Sequence, residues 1–163
     1  MRYCEILANF APSKIQIFIM GRIMAIDFGQ KRSGIAVTDP LRIIATGLIT
    51  VPSNQLIYYI KKYINVEVVD CIVVGEPKDM QNKASDSSRF SEPFVQRLKL
   101  AIPEMRIERY DERFTSKMAF QTMIDAGLGK KKRQDKALVD TISATIILQS
   151  YLEALTTKNN LIP

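Results

Sequence analysis

The sequence predicts an α/β fold on a five-stranded mixed sheet, three antiparallel strands followed by parallel strands, with helices on both faces. Three observations carry this. β-rich apolar runs at 22–28, 33–39 and 41–50 follow one another across connections too short for a crossover, so they pair antiparallel. Beyond residue 53 the apolar period becomes helical, and strands then alternate with helices, the pattern of a parallel sheet. Residues 68–74, VVDCIVV, are almost continuously apolar and β-branched, as a strand covered on both faces must be.

Each element follows from local chemistry. The first strand ends at Asp27, and a turn containing Gly29 leads to the second. The third, LRIIATGLIT, is closed by Val51 and Pro52. Leu56, Ile57, Ile60 and Ile64 recur at helical spacing over 53–64, with Ser53 or Asn54 placed to cap. The fourth strand stops at Gly75-Glu76-Pro77, and 78–88 are polar and loop-like. A helix is expected over 89–101, with Phe90, Phe94, Val95 and Leu98 on its inner side and Pro103 beyond it. Residues 105–110, MRIERY, form the fifth strand. Thr115 or Ser116 caps a helix that runs to about Ala126, before Gly127. Residues 128–136, LGKKKRQDK, make a basic loop, and a final apolar helix runs from about Ala137 to Leu155. The domain therefore spans 22–155. Residues 1–21 are expected to be an N-terminal extension, with Met20 or Met24 as alternative starts, and 156–163 a polar tail.

Composition narrows the chemistry. Of 163 residues, 47% are apolar and 25% charged, enough for one ordinary core without a staple. The two cysteines, Cys4 and Cys71, stand far apart, which favours a reducing, cytoplasmic setting over a disulfide framework. Histidine is absent. That removes a Ser-His-Asp triad, a Cys-His pair and His-ligated zinc, and leaves carboxylates, whose oxygens select hard cations such as Mg²⁺ or Mn²⁺. The formal charge of +6 suggests a polyanionic partner, nucleic acid before membrane. The apolar run IQIFIM at 15–20 is too short to span a bilayer.

The acids fall at related places. Asp27 ends strand one, Glu76 follows strand four, and Asp111 and Glu112 follow strand five. Ligands of open α/β sheets bind at the carboxyl ends of parallel strands, so these acids are expected at one edge. Asp140 lies near the start of the last helix, where Leu138, Ile142, Thr145 and Ile146 are candidates for a packed face. Ser143 and Ala144, small residues one turn on, allow close approach to the sheet. Gathered carboxylates repel one another unless divalent cations lie between them. Two such ions about 4 Å apart would serve a phosphodiester displacement. Lys31, Arg32, Arg113 and the loop residues Lys130, Lys131, Lys132 and Arg133 would then hold phosphates.

The segments AIDFGQKRSGIAVTD, VVGEP, YDERFTS and KALVDTISATIILQSYLE, in this order over 22–155, resemble the YqgF/RuvX family of small bacterial ribonuclease H-like proteins. The resemblance implies a ribonuclease H-like fold and a metal-dependent nuclease. Two activities are proposed for the family, 5′-end maturation of pre-16S ribosomal RNA and Holliday junction resolution, and the RNA role is preferred here. Residue by residue, it implies that Asp27 bridges two Mg²⁺ or Mn²⁺ ions, with Asp140 on one and Asp111, Glu76 or both on the other. Arg113, Thr115 and Ser116 match the polar segment after strand five. Glu76 departs from the leucine usual at that position. It is either an added ligand or an exposed variant, and this leaves open which of Asp111 and Glu112 completes the set. Partners are nucleic acid, either pre-rRNA or branched DNA, with no membrane, and the chain is a monomer or homodimer. Rival readings are a nucleic-acid-binding factor without catalysis, and an ATP-binding protein of the actin and sugar-kinase type. The latter would require a second domain that 163 residues do not provide.

Overall fold

The computed structural model describes residues 20–76, 88–111 and 115–159. Its strands are β1 (Arg22–Phe28), β2 (Arg32–Thr38), β3 (Ala45–Pro52), β4 (Val69–Glu76) and β5 (Arg106–Asp111). Its helices are α1 (Leu56–Ile64), α2 (Ser88–Ala101), α3 (Thr115–Asp125), α4 (Lys130–Arg133) and α5 (Lys136–Asn159). The sheet order is β3-β2-β1-β4-β5. β1 pairs antiparallel with β2, and β2 with β3, whereas β4 lies parallel to both β1 and β5.

Strand alternation divides the core in two. Met24 and Ile26 of β1, Ile35 and Val37 of β2, and Ile72 and Val74 of β4 point to one layer. There they meet Leu56 and Ile60 of α1 and Phe94, Val95 and Leu98 of α2. The opposite face carries Ile23, Ala25, Ala36, Cys71 and Val73 against Ala144, Ile147, Leu148 and Tyr151 of α5. Each fully buried Ile or Leu adds roughly 1.5–3 kcal/mol.

The face under α5 is built from smaller residues, and the helix lies close to it. A Cβ on Gly34 would overlap the backbone carbonyl of Asp140. A Cβ on Gly47 would lie 2.6 Å from Thr141 Cγ2. Only glycine permits this approach, and Gly34 is the register partner of Asp27 on β1. At the far end, Tyr110 donates to the Ser150 carbonyl at 3.0 Å and Tyr151 to Glu108 at 2.7 Å, which ties α5 to β5.

Several expected boundaries move, each for a local reason. Residues 41–44 are not strand, because Asp39 accepts from the backbone N–H groups of Leu41, Ile43 and Ile44 at 3.0, 2.8 and 2.7 Å and folds them into a turn. Neither Ser53 nor Asn54 caps α1, and Gln55 occupies the N-cap position. The Ser53 hydroxyl instead donates to the Gly29 carbonyl at 2.6 Å. The basic loop contains the helical turn α4, and α5 runs on to Asn159, past the expected end at Leu155. Asp135 caps α5 through the N–H of Ala137 at 3.0 Å. The buried stripe of α5 is Ser143, Ala144, Ile147, Leu148, Tyr151 and Leu152 rather than the Leu138, Ile142, Thr145 and Ile146 set. Those four are half-buried beside it.

The close approach at Gly34 has a measurable consequence. Gly34→Ala is expected to lower the urea unfolding midpoint by the equivalent of about 1–3 kcal/mol, because the added methyl displaces the α5 backbone. An unchanged midpoint would contradict the contact.

Candidate active site

The site forms where β1 ends beneath the first turns of α5. Asp27, one residue from the end of β1, follows the alternation of Ile23 and Ala25 and therefore faces α5. The glycine opposite it, Gly34, admits the Asp140 backbone, which brings the two acids near enough for their charges to interact. Burial pushes the Asp27 carboxyl up to about 7 from an ordinary 3.8, and the charge of Asp140 adds to the shift. A hydrogen bond from Ser143 partly offsets it. Asp27 keeps a narrow opening to solvent, yet loss of hydration is the largest effect on it.

Asp140 has a cationic partner. Arg32 Nε lies 2.6 Å from its Oδ2, in a pair partly open to water. Arg32, expected on a phosphate, is therefore engaged with a carboxylate. The pair opens on a cleft of about 410 Å³, lined by Lys31, Arg32, Lys136, Phe90, Asp140 and the turn at 28–30. Two of these lining residues were not foreseen. Lys136 reads as the end of a basic loop but opens α5. Phe90 belongs to the inner stripe of α2 by spacing, yet it is 47% exposed in the cleft, because it lies one turn before the buried Phe94. In the sequence Ser143 reads only as a small residue, and its hydroxyl is what reaches Asp27.

The other acids group differently. Glu76 and Asp111 are register partners on β4 and β5. Alternation aligns Glu76 with Ile72 and Val74, and Asp111 with Ile107 and Arg109, which belong to the α1–α2 layer. Asp27 and Asp140 belong to the α5 layer. Among the described residues, no three carboxylates or thiols converge as a metal cage. Lys131 and Lys132 are exposed on α4, and Arg133 is half-buried there. Glu112 and Arg113 lie outside the described residues. Thr115 and Ser116 open α3, and their side chains also lie outside them.

The donor set suits a hard cation. Two oxygen-donor acids are held together, one against the cost of burial, and their mutual repulsion is relieved by positive charge. Arg32 supplies part of that charge from one side.

A family profile described as RuvX, Holliday junction resolvase, matches residues 21–154. The chain belongs to the RuvX family. It is 58% identical to a protein of Phocaeicola vulgatus over 135 residues, 83% of this chain and 97% of that one. A Bacteroides fragilis protein is 57% identical over 134 residues, 82% of this chain and 97% of that one. A Porphyromonas gingivalis protein is 52% identical over 134 residues, with the same coverage of both chains. All three are named for a proposed activity, pre-16S rRNA nuclease. Among solved structures, Thermus thermophilus RuvC in complex with a Holliday junction substrate superimposes with a TM-score of 0.51 at 16% identity, over 83% of this chain and 96% of that one. That likeness establishes the ribonuclease H-like fold.

The raised carboxyl gives this RuvX protein a defined pH response. A carboxyl whose folded-state pKa exceeds its unfolded value binds its proton more tightly in the native chain. Its contribution to stability therefore falls as pH rises from about 4 to about 7, then levels off. Asp27→Asn, which cannot ionise, is expected to gain about 1–3 kcal/mol over wild type at pH 8 and little at pH 4. Urea unfolding across pH 4–8 measures this. A wild-type profile parallel to that of the variant would show that Asp27 is not strained by its charge.

Proposed function

We propose that the protein is a cytoplasmic, divalent-metal-dependent nuclease that matures the 5′ end of pre-16S rRNA by hydrolysing phosphodiester bonds. The observation that carries the reading is the pairing of buried Asp27 with Asp140, which itself lines a cleft beside Lys31, Lys136 and Phe90. Relatives at 52–58% identity, spanning nearly their whole length, bear the corresponding name. The family's description as a Holliday junction resolvase favours a second reading, cleavage of four-way DNA junctions.

Asp27 and Asp140 would hold Mg²⁺ or Mn²⁺; Glu112 is a candidate for completing the set, and Asp111 and Glu76, the last residues of β5 and β4, would join it only by turning round the sheet edge from the α1–α2 side. When bound, such an ion acidifies water and stabilises charge on the scissile phosphate. The protein's own contribution is positional. Gly34 sets the spacing of the two acids, and the Ser143 hydroxyl orients the Asp27 carboxylate. Arg32 holds Asp140 in place and balances its charge. Lys31 and Lys136 draw the phosphodiester backbone into the cleft, and the Phe90 ring offers a face to a base. Lys131, Lys132 and Arg133 extend the basic rim from α4. No protein group is required as general base, which suits a chain without histidine.

The test is cleavage of a pre-16S rRNA fragment and a four-way DNA junction side by side in Mn²⁺. Wild type is expected to cleave the RNA, EDTA to stop it, and Asp27→Asn and Asp140→Asn to lower the rate by at least about 100-fold. Junction cleavage alone would transfer the assignment to DNA. Wild-type rates from Asp27→Asn would refute the site. In the same assay, Glu76→Gln, Asp111→Asn and Glu112→Gln identify the remaining ligand as the one whose loss matches that of Asp140.

A further inference from the structure

A second groove runs along the outer side of α1. Gln55, Tyr58, Tyr59, Lys62, Tyr63 and Val66 line it at helical spacing, enclosing about 460 Å³. Tyr58 is 74% exposed and Val66 81%, while Tyr59 and Tyr63 are half-buried and stack with ring centroids 6.5 Å apart, at 24°. Tyr59 and Tyr63 pack one side of their rings against the core beside Leu56 and Ile60, whereas Tyr58 stands out in solvent and leaves the groove an open aromatic face.

The charge around the groove is cationic. Lys61 and Lys62 are exposed in the last turn of α1. The carboxylate in the lining, Glu67, is bound by Arg22 at 2.9 Å. Exposed rings beside lysines suit an unpaired nucleic acid strand, whose bases stack on aromatic faces while its phosphates meet cations.

The segment that leads into the groove is hydrogen-bonded to the turn of the active-site cleft. Ser53, two residues before Gln55, donates its hydroxyl to the Gly29 carbonyl at 2.6 Å and its N–H to the Lys31 carbonyl at 3.1 Å. It also shares a hydrogen bond with Ser33 at 2.8 Å. Gly29 and Lys31 line the cleft. The chain two residues before the groove is therefore fastened to the cleft's own turn, and α1 extends about 14 Å from there.

We propose that the α1 groove binds a single-stranded stretch of the nucleic acid substrate that flanks the scissile bond, with bases on Tyr58, Tyr59 and Tyr63 and a phosphate on Lys62. This rests on the nuclease reading above and adds a second binding site to it. The groove sets which substrates are held: a target with an unpaired extension binds better than one ending at the scissile position. Tyr58 and Lys62 are chosen for the test because both side chains are exposed and neither touches the acidic pair.

The test measures fluorescence anisotropy of a labelled single-stranded RNA of about twelve nucleotides, with the full chain in EDTA. Tyr58→Ala and Lys62→Ala are each expected to weaken binding about tenfold, with thermal unfolding unchanged, and Tyr58→Phe to restore it. In Mn²⁺, KM for an extended substrate should rise with kcat preserved, and a substrate trimmed at the scissile position should show no change. Wild-type affinity in both alanine variants, in a protein that still cleaves, overturns the groove and leaves the nuclease reading standing. A wild type that cleaves neither RNA nor DNA overturns the nuclease reading itself. Sedimentation showing that wild type self-associates and Tyr58→Ala does not, with RNA binding equal in the two, assigns the groove to a protein partner and overturns the proposal.

Discussion

The contact between Gly34 and the backbone of Asp140 is the constraint on which the rest of the site depends. A sheet and a helix normally keep a side chain's width between them. Here β2 offers glycine and alanine to α5, and the helix lies against the strand itself. Gly34 is also the cross-strand partner of Asp27, so the place where the helix comes closest is the place where β1 carries its acid. Packing thus brings together two carboxylates that electrostatics alone would keep apart.

The charge pattern follows from that geometry. Asp27 loses hydration and feels Asp140, and its carboxyl rises toward neutral pH. Ser143 and Arg32 each relieve part of the cost, one by a hydrogen bond to Asp27 and the other by pairing with Asp140. A divalent ion at this pair would have to displace Arg32 from Asp140 and take over its balancing of the acids. The cationic rim of the cleft carries the same logic outward, toward a polyanion.

Much of this was legible in the sequence, and the reasons are specific. Long apolar runs bounded by turn residues made the five strands and their antiparallel-then-parallel order readable, since periodicity and connection length reflect backbone geometry directly. Asp27 and Asp140 stood out because each interrupts an apolar run. Strand ends were harder, since Asp39 and Ser53 spend their side chains on backbone groups that spacing does not reveal. Side-chain direction at the sheet edge was harder still. Counting strand ends places Glu76 and Asp111 beside Asp27, whereas the register of β4 with β1 and β5 aligns them with the other layer. Phe90 and Lys136 were invisible as cleft residues because helical spacing says which residues share a face and not where that face runs out of neighbours.

The most direct measurement is anomalous scattering from crystals grown with Mn²⁺. The account predicts a manganese peak in contact with both the Asp27 and Asp140 carboxylates, with Arg32 drawn back from Asp140. A manganese-saturated crystal with no peak between those two residues, or with its ions bound only elsewhere on the surface, would contradict it.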